Sequence, residues 1–460
     1  MSPTPTAPAD KPALRVQDLF AQTGGDPFSN AFARKTAIHP RTTARPVAAQ
    51  DMDATWEVIR KEPRTGKSVA YLHIPFCENH CLFCGFYQNP WRTEHSRNYA
   101  DAIIRELETG KHDPAQAHGP IHAVYFGGGT PTALDASDLT RIIEAVRENL
   151  PLAPDCEITI EGRIYSFGID KARACFEAGA NRISLGVQTF DTQLRRRMGR
   201  KVSGEEAMAF LRELSALEQG AIVIDLIFGF PGQTQEMWAR DVETAASLDL
   251  DGVDLYALNL LPNSPLALSI AKGKLAPQPA QSEMGHYYRL GHEILAGRGW
   301  EAISTSHWRR TTRERNLYNL LVKSGANCLA YGAGAGGTLG NVSYRLESRL
   351  DTYLKAVHSG RKPHGFMMYA PTSFDFLKEL KAQMEVGMLH VERLQDALAS
   401  HHFKTPAGQI RPLFDQWQES GLLEQSNGWA RLTTAGRFWQ TTMTQSLLHW
   451  IQQNAPARAA

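Results

Sequence analysis

The 460-residue sequence lacks a long apolar run and an excess of charge of either sign. No stretch of about 18 apolar residues occurs, so no membrane-spanning helix is expected. The start, "MSPTPTAPADKPAL", has no cationic segment followed by an apolar one, which argues against a secretory signal. The 49 Lys and Arg nearly balance the 48 Asp and Glu. This balance gives no general reason to expect nucleic acid or an anionic membrane as a partner.

Cysteine is also scarce, with six residues in the chain. Three of them, Cys77, Cys81 and Cys84, nevertheless fall within the stretch "YLHIPFCENHCLFCGFYQNP". The absence of a secretory signal predicts a cytoplasmic location, where thiols stay reduced. Clustered cysteines in that compartment indicate metal or redox chemistry rather than disulfides.

The strongest pattern in the chain is an alternation of strands and helices. Short apolar, β-branched runs cover residues 69–76, 121–128, 156–163, 182–188, 221–229 and 252–260. Helical patterns lie between them, at residues 137–150, 170–180, 203–220 and 236–249. This order predicts βαβ units with a parallel sheet. Six consecutive units favour a TIM-like barrel or partial barrel, a partial (β/α)6 fold of the α/β class.

A barrel carries its active site at the C-terminal ends of its strands. Each of the six predicted strands carries a chemically useful group at or near its end. In chain order these are the cysteine cluster, the "GGGT" turn, Glu161, Gln188, Asp225, and Tyr256 with Asn259. Asp225 is informative because "AIVIDLIFGFP" is otherwise a buried-strand pattern, and a carboxylate there needs a partner or a ligand. These strand ends predict one active site.

The segments outside the barrel predict two appendages. Residues 1–66 form an N-terminal arm, of which 1–14 are expected to be disordered, with helical patterns near 16–20 and 52–60. The barrel with its closing segment covers 67–345. Residues 346–460 turn helical and predict a small winged-helix-like C-terminal domain. A nucleic-acid-binding regulator is a weak alternative for this domain, since its sequence contains no basic recognition helix.

The spacing C-x3-C-x2-C limits the chemistry of the cysteine cluster. Zinc sites commonly use four ligands arranged as two C-x2-C pairs, and the fourth is absent here unless His73 or His80 supplies it. A redox dithiol needs two cysteines. Three thiolates on a short loop suit three corners of a [4Fe–4S] cluster, with one iron left open for a ligand.

Together these residues resemble the radical S-adenosylmethionine (SAM) superfamily, in its coproporphyrinogen-dehydrogenase-like branch. The block "Y-x-H-I-P-F-C-x3-C-x-F-C" is highly specific, and the resemblance runs from about 70 to 340. It implies that Cys77, Cys81 and Cys84 hold a [4Fe–4S] cluster. It also implies that SAM binds the open iron through its amino and carboxylate groups.

The resemblance further implies contacts to two SAM molecules. For the first SAM the matching residues are Tyr71, Gly128 and Glu161, the last accepting from the amino group. For the second SAM they are Phe83, Gly129, Thr130, Gln188, Arg200 and Asp225. Asn259 stands where the family uses a backbone contact.

Three activities compete within this branch. The oxygen-independent coproporphyrinogen dehydrogenase has a further cysteine after the motif glycine, where this chain has Phe86. The haem chaperones usually continue "C-D-F", where this chain has Gly85. The continuation "C-G-F-Y-Q-N" is similar to the anaerobic haem-degrading methyltransferases, which makes haem the expected substrate. A trafficking protein that binds haem without turnover, or another methyltransferase, remains an alternative.

The resemblance implies a radical mechanism without oxygen. An electron from a donor such as flavodoxin cleaves the first SAM to a 5′-deoxyadenosyl radical, which activates the methyl group of the second. Addition of that carbon to the porphyrin opens the ring to a methylated linear tetrapyrrole and releases iron. Candidates for binding the haem propionates are the basic stretch at 307–315 and Arg345, although a solvated surface is the simpler interpretation of both.

Overall fold

The computed structural model describes residues 15–36, 44–370, 375–400 and 410–454. These residues form two compact units. One unit contains the described residues up to 36 together with those from 375 onward, and the other contains residues 44–370. The disorder expected for residues 1–14 lies outside the described residues.

Eighteen strands occur in the described residues. They are β1 Arg45–Pro46, β2 Ser68–Ile74, β3 Phe76–Cys77, β4 Asn89–Pro90, β5 Ile121–Gly128, β6 Leu152–Gly162, β7 Arg182–Gln188, β8 Ala221–Phe228, β9 Gly252–Ala257, β10 Glu301–Ala302, β11 His307–Arg309, β12 Asn327–Tyr331, β13 Gly336–Leu339, β14 Val342–Leu346, β15 His364–Tyr369, β16 Met388–His390, β17 Leu423–Ser426 and β18 Trp429–Leu432.

Seventeen α-helices occur in the same residues. They are α1 Pro27–Asn30, α2 Met52–Ile59, α3 His95–Thr109, α4 Pro114–Ala117, α5 Ala136–Asn149, α6 Ile169–Ala178, α7 Thr192–Arg197, α8 Gly204–Ser215, α9 Gln235–Ser247, α10 Pro265–Ala271, α11 Gln281–Gly297, α12 Leu317–Lys323, α13 Leu350–His358, α14 Asp375–Val386, α15 Val391–Ser400, α16 Ile410–Glu419 and α17 Thr434–Gln453. Short 3-10 helices cover Val16–Leu19, Ala49–Asp51, Pro131–Ala133 and Ile164–Ser166. Within the described ranges, no helix has the length and apolar character needed to cross a membrane.

The larger unit is built on the predicted parallel sheet. Strands β2, β5, β6, β7, β8 and β9 pair in parallel and in chain order, with helices between them. The residues of these strands are mostly buried whichever face of the sheet they lie on, as in the apolar segment of β8. Helices cover the outer face of the sheet. The predicted fold class is confirmed. The sheet is open, since the order of its 13 strands ends at β1 and β10 and no pairing joins those two within the described chain.

The sheet is wider than the sequence indicated. Beyond β2 it continues through β12, which is parallel to β2, and then through the antiparallel strands β13, β14, β15 and β1. Beyond β9 it continues through β11 and β10. These added strands come from residues 301–369 and from the predicted arm.

The smaller unit joins the N-terminal segment to the C-terminal helices. The indole N–H of Trp417 donates to the carbonyl of Leu19 at 3.0 Å, and that of Trp439 donates to Pro27 at 2.8 Å. Strands β16, β18 and β17 form an antiparallel sheet between helices, the winged-helix-like arrangement expected here. Asn427 and Gly428, both with positive φ, make the tight turn of its hairpin.

The boundaries of these units differ from the expected ones at 66/67 and 345/346. Residues 44–66 and 346–370 belong to the larger unit, because β15 is a strand of its sheet, α2 packs against β15, and α13 packs against α3. The first described residues belong to the C-terminal unit instead of forming a separate arm.

Candidate active site

The cysteine cluster occupies the loop that follows β2. Cys77 ends β3, and Cys77 and Cys81 are each 1% exposed, while Cys84 is more accessible. The side-chain amide of Asn79 donates to the carbonyl of Gly199 at 2.6 Å, and the loop is thereby fixed to the turn after α7. All three cysteines are free thiols.

Four hydrogen-bond donors reach the sulfurs of this loop. They are Thr130 Oγ1 to Cys77 at 3.4 Å, Arg163 Nη2 to Cys77 at 3.5 Å, Arg200 Nη1 to Cys81 at 3.8 Å, and the Phe86 N–H to Cys84 at 3.3 Å. Burial raises the pKa of the Cys77 thiol, and the charge of Arg163 opposes that rise. Nowhere in the described ranges do three or more His, Cys, Asp or Glu side chains converge to hold a single metal ion. The donors suit anionic sulfur, as in thiolates that bind a multi-iron cluster, and the residues therefore fit the predicted [4Fe–4S] group.

The glycine turn after β5 lies directly against the cysteine loop. The Gly129 N–H donates to the carbonyl of Ile74 at 2.8 Å, and a Cβ on Gly129 would lie 2.5 Å from the carbonyl oxygen of Phe76. Gly128 has a φ of 108°, a conformation that L side chains rarely adopt. Glycine is therefore required at both positions for this close backbone approach.

Two carboxylates face the interior of the barrel. Glu161 near the end of β6 and Asp225 in β8 are surrounded by protein yet keep part of their surface accessible, as expected of groups that line an internal space. Burial, with the neighbouring charge of Asp225, raises the pKa of Glu161 to about 8. Burial and the charge of Asp254 likewise raise the pKa of Asp225. Two carboxyl groups that are costly to ionise alone are suited to a cationic or hydrogen-bond-donating ligand.

Gln188, at the end of β7, has the strained backbone expected at a functional site. Its φ is 74°, unusual for a residue other than glycine. A Cβ on Gly186 would lie 2.6 Å from the Gln188 amide nitrogen and 3.1 Å from Nη2 of Arg200. The buried side-chain oxygen of Gln188 has no hydrogen-bond partner in the described residues. The structure thus brings Gln188 and Arg200 together at one strand end.

The remaining predicted residues lie around this centre. Tyr71 in β2 stacks on Tyr125 with ring centroids 6.4 Å apart, and its hydroxyl lies 2.9 Å from Nδ1 of His73. The ring of Phe83 contacts Phe230 edge-on at 5.3 Å. Asn259 is exposed two residues beyond β9.

Some residues that shape the interior were missed by the sequence reasoning. Tyr318 of α12 stacks on Tyr125 at 4.7 Å and on Tyr71 at 6.1 Å, so that three tyrosines line one wall. Arg163, which touches Cys77, follows Glu161 by two residues in "EGR". The position of Arg163 in this motif could have identified it from the sequence, whereas no pattern in α12 pointed to Tyr318.

A buried charge network lies deeper in the same barrel. Arg182 Nε lies 2.9 Å from Glu314, and His307 Nδ1 lies 2.7 Å from Asp254. Burial opposes charge on His307, but Asp254 and Glu314 outweigh it and raise the pKa of His307 to about 9. Burial also opposes charge on Glu314, yet Arg182 and His307 lower the pKa of Glu314 to about 2. His307 and Glu314 are therefore both charged at neutral pH.

This network alters the interpretation of the basic stretch 307–315. His307 and Glu314 are fully buried. The arginines of the stretch form ion pairs on the flank, namely Arg309 with Glu301, Arg310 with Asp249, Arg313 with Asp251, and Arg315 with Asp155. The stretch is therefore neither a simple solvated surface nor a set of free cations for haem propionates.

Comparison with known proteins agrees with this geometry. A family profile described as the Radical SAM superfamily matches residues 71–245. Anaerobilin synthase from Escherichia coli O157:H7 is 44% identical over 96% of this chain and 97% of its own length. The heme chaperone HemW from Lactococcus lactis is 28% identical over 75% and 89% of the two chains. The structure of coproporphyrinogen III oxidase (HemN) from Escherichia coli superimposes with a TM-score of 0.71 at 22% identity, covering 90% and 96% of the chains, and supports the fold alone.

Proposed function

The chain belongs to the radical SAM superfamily, and we propose that it degrades haem without oxygen. In the proposed reaction it acts as a methyltransferase that opens the porphyrin to a methylated linear tetrapyrrole and releases iron. The observation that carries this proposal is the 44% identity to anaerobilin synthase, which extends over nearly the whole of both chains. The arrangement of cysteines, carboxylates and arginine at the strand ends supports it.

The cluster-binding role is assigned to Cys77, Cys81 and Cys84. A [4Fe–4S] cluster held by these three cysteines would supply the electron for the cleavage of SAM. Arg200 and Thr130 direct donors at the sulfurs and stabilise their negative charge. Cys84 is the most accessible of the three thiols, which makes its side of the loop the proposed entry point for an electron from a donor such as flavodoxin.

The first SAM is proposed to lie between β2, β5 and β6. Glu161 accepts from its amino group, the backbone of Gly128 contacts its methionine part, and Tyr71 bounds the pocket. The turn needs glycine because a side chain at Gly128 would clash with the His73 ring, and one at Gly129 would clash with the backbone of Ile74 and Phe76. The raised pKa of Glu161 means that ligand binding draws this carboxyl into its anionic form.

A second SAM, the proposed methyl donor, is assigned to the opposite wall of the site. Gln188 ends β7 and Asp225 lies in β8, while Arg200 lies in the turn after α7 and donates to the carbonyl of Gly186 in β7. Arg200 suits a carboxylate, and Asp225 suits hydroxyl or ammonium donors. The other residues assigned to it are Phe83, Gly129 and Thr130, with Asn259 at the outer edge.

The proposed location of this reaction is the cytoplasm.

A haem chaperone is the second candidate, since HemW proteins are relatives over most of this chain. One local observation distinguishes the two. A Cβ at Gly85 would lie 2.3 Å from Cδ1 of Leu261, so the aspartate usual in chaperones at this position requires Leu261 to move. Glycine leaves room for the Leu261 side chain, and the continuation "C-G-F" resembles that of the haem-degrading methyltransferases.

The proposal is tested by following the haem absorption bands under anaerobic conditions with reconstituted protein. Loss of these bands that requires both SAM and a strong reductant supports degradation. Stable haem bands in the presence of both, with SAM still cleaved, favour the chaperone instead.

A further inference from the structure

The antiparallel extension of the sheet, β13 to β15, has one face that continues the inner wall of the barrel. Cys328 of β12 packs beside Tyr71 and Tyr318 on the inner side, and it pairs with Thr338, which pairs with Ser343. Directly opposed residues point to the same face of a sheet. The next side chain, Tyr344, points outward and contacts Trp56 of α2 at 5.3 Å. Arg345, one residue later, therefore lies on the inner face.

The neighbours of Arg345 leave its inner side open. Across the strands it pairs with Gly336 on one side and Phe366 on the other. Phe366 is 47% exposed, and a Cβ on Gly336 would meet nothing closer than a backbone oxygen at 3.9 Å. Together the exposed ring of Phe366, the open position at Gly336 and the cation of Arg345 form a flat surface. We call these three residues the Arg345 shelf.

Arg345 has no acidic partner in the part of the chain that the structure describes. Its Nε donates to the carbonyl of Gly334 at 3.1 Å, a contact that orients the guanidinium but leaves its charge uncompensated. The charge of Arg345 also affects His73 in β2. Burial, together with this charge, lowers the pKa of His73 to about 4. Arg345 thus lies near enough to His73 for its charge to act on that ring. An accessible cation without a counter-ion, beside an aromatic surface, is suited to an anionic aromatic ligand.

We infer that the Arg345 shelf binds the carboxylate-bearing edge of the substrate macrocycle, with Arg345 paired to a propionate and the porphyrin plane over Gly336 and Phe366. This inference rests on the proposed function, because it takes haem as the ligand. The space above Gly336 admits a flat ring that a side chain would exclude. The guanidinium, oriented by Gly334, can give two parallel hydrogen bonds to a carboxylate.

The test is equilibrium binding of haem and of haem dimethyl ester, without SAM or reductant, so that no turnover occurs. Arg345→Gln is compared with Arg349→Gln, a control four residues away that removes an exposed arginine paired with Glu347. We expect Arg345→Gln to weaken haem binding at least about tenfold, the usual effect of losing one charge-assisted interaction. Arg345→Lys should fall between wild type and Arg345→Gln.

Binding of the dimethyl ester separates the charge from the shape of the site. We expect wild type and Arg345→Gln to bind the ester equally, because the ester carries no carboxylate. Phe366→Ala should weaken the binding of haem and ester alike. Haem binding by Arg345→Gln as tight as in wild type, while wild type still degrades haem, would overturn the shelf and leave the proposed function standing. Failure of the wild type to bind haem at all would overturn both.

Discussion

The guanidinium of Arg200 joins two parts of the site that are far apart in sequence. Its Nη1 lies 3.8 Å from the sulfur of Cys81, and its Nη2 donates to the backbone carbonyl of Gly186 in β7. Burial lowers the pKa of Arg200, while the neighbouring Cys81 favours its charged form. A buried cation is stabilised most when the sulfur beside it is anionic, as in a cluster ligand. Cys81 is therefore the cysteine to test first.

Replacing Cys81 with alanine should abolish both the absorbance of the iron–sulfur cluster and SAM cleavage. Two thiolates cannot replace three, and Arg200 loses its anionic neighbour. Cys175→Ala is the matched control, since Cys175 is buried in α6, away from the loop. The measurement is iron and sulfide content with visible absorbance after anaerobic reconstitution. A Cys81→Ala protein with full cluster content and turnover would refute the ligand assignment.

Asp225→Asn should preserve the cluster but remove one of two bound SAM molecules. The change is nearly isosteric, and it deletes the negative charge proposed to hold the second SAM. Equilibrium dialysis with labelled SAM should give two molecules bound per wild-type chain and one per variant. A wild-type stoichiometry of one would disprove the second SAM site, and two bound molecules in the variant would disprove the role of Asp225.

The affinity for SAM should fall as the pH is lowered from 8 to 6. The pKa of Glu161 is raised to about 8, so below that pH the free protein carries a proton on this carboxyl group. The proton must leave before both carboxylate oxygens of Glu161 can accept hydrogen bonds. The loss should approach about tenfold per pH unit, as for one linked proton. Glu161→Gln should bind weakly and with no such pH dependence. Calorimetric titration at several pH values provides the measurement, and a wild-type affinity constant over this range would argue against Glu161.

Glu314→Gln should destabilise the protein by about 3–5 kcal/mol, the usual cost of removing one partner from a buried ion pair. It would leave Arg182 and protonated His307 without their shared carboxylate. Glu301→Gln is the control, because Glu301 pairs with Arg309 at the surface and should contribute less than about 1 kcal/mol. Denaturant unfolding of both variants gives the comparison, and equal stabilities would contradict a structural role for the network.

The buried charge network around His307 should also make the stability of the protein depend on pH. The folded-state pKa of His307 is about 9, above its unfolded value of 6.5. Its contribution is therefore fully present below pH 6.5 and is lost as the pH rises through 9. Wild type should lose stability over that range, and Glu314→Gln should lose less.

The sequence predicted the six parallel strands within a few residues because their apolar runs and the helices between them have distinct periodicities. It also placed Glu161, Gln188 and Asp225 at one edge, since parallel strands bring their carboxyl ends together. This inference was local: Glu161 and Gln188 stood near the ends of their own strand patterns, and Asp225 stood within its own. The positive φ of Gln188, by contrast, was indicated by no residue pattern.

The parts that could not be predicted depend on contacts distant in sequence. Strands β12 to β15 are short, and the pairing of β12 with β2 joins residues more than 250 positions apart. The basic stretch at 307–315 suggested exposed cations, yet its His307 and Glu314 are buried because Arg182 and Asp254 lie opposite them in the fold. Likewise, the N-terminal segment packs with the last helices through Trp417 and Trp439, a pairing with no local signal.

The central claim is that this chain opens the haem ring by radical methyl transfer. The most direct measurement is mass spectrometry of an anaerobic reaction containing reconstituted protein, a strong reductant, SAM and haem. The account predicts a haem-derived linear tetrapyrrole with one added methyl group, with 5′-deoxyadenosine formed alongside it. Formation of 5′-deoxyadenosine while haem stays intact would contradict it.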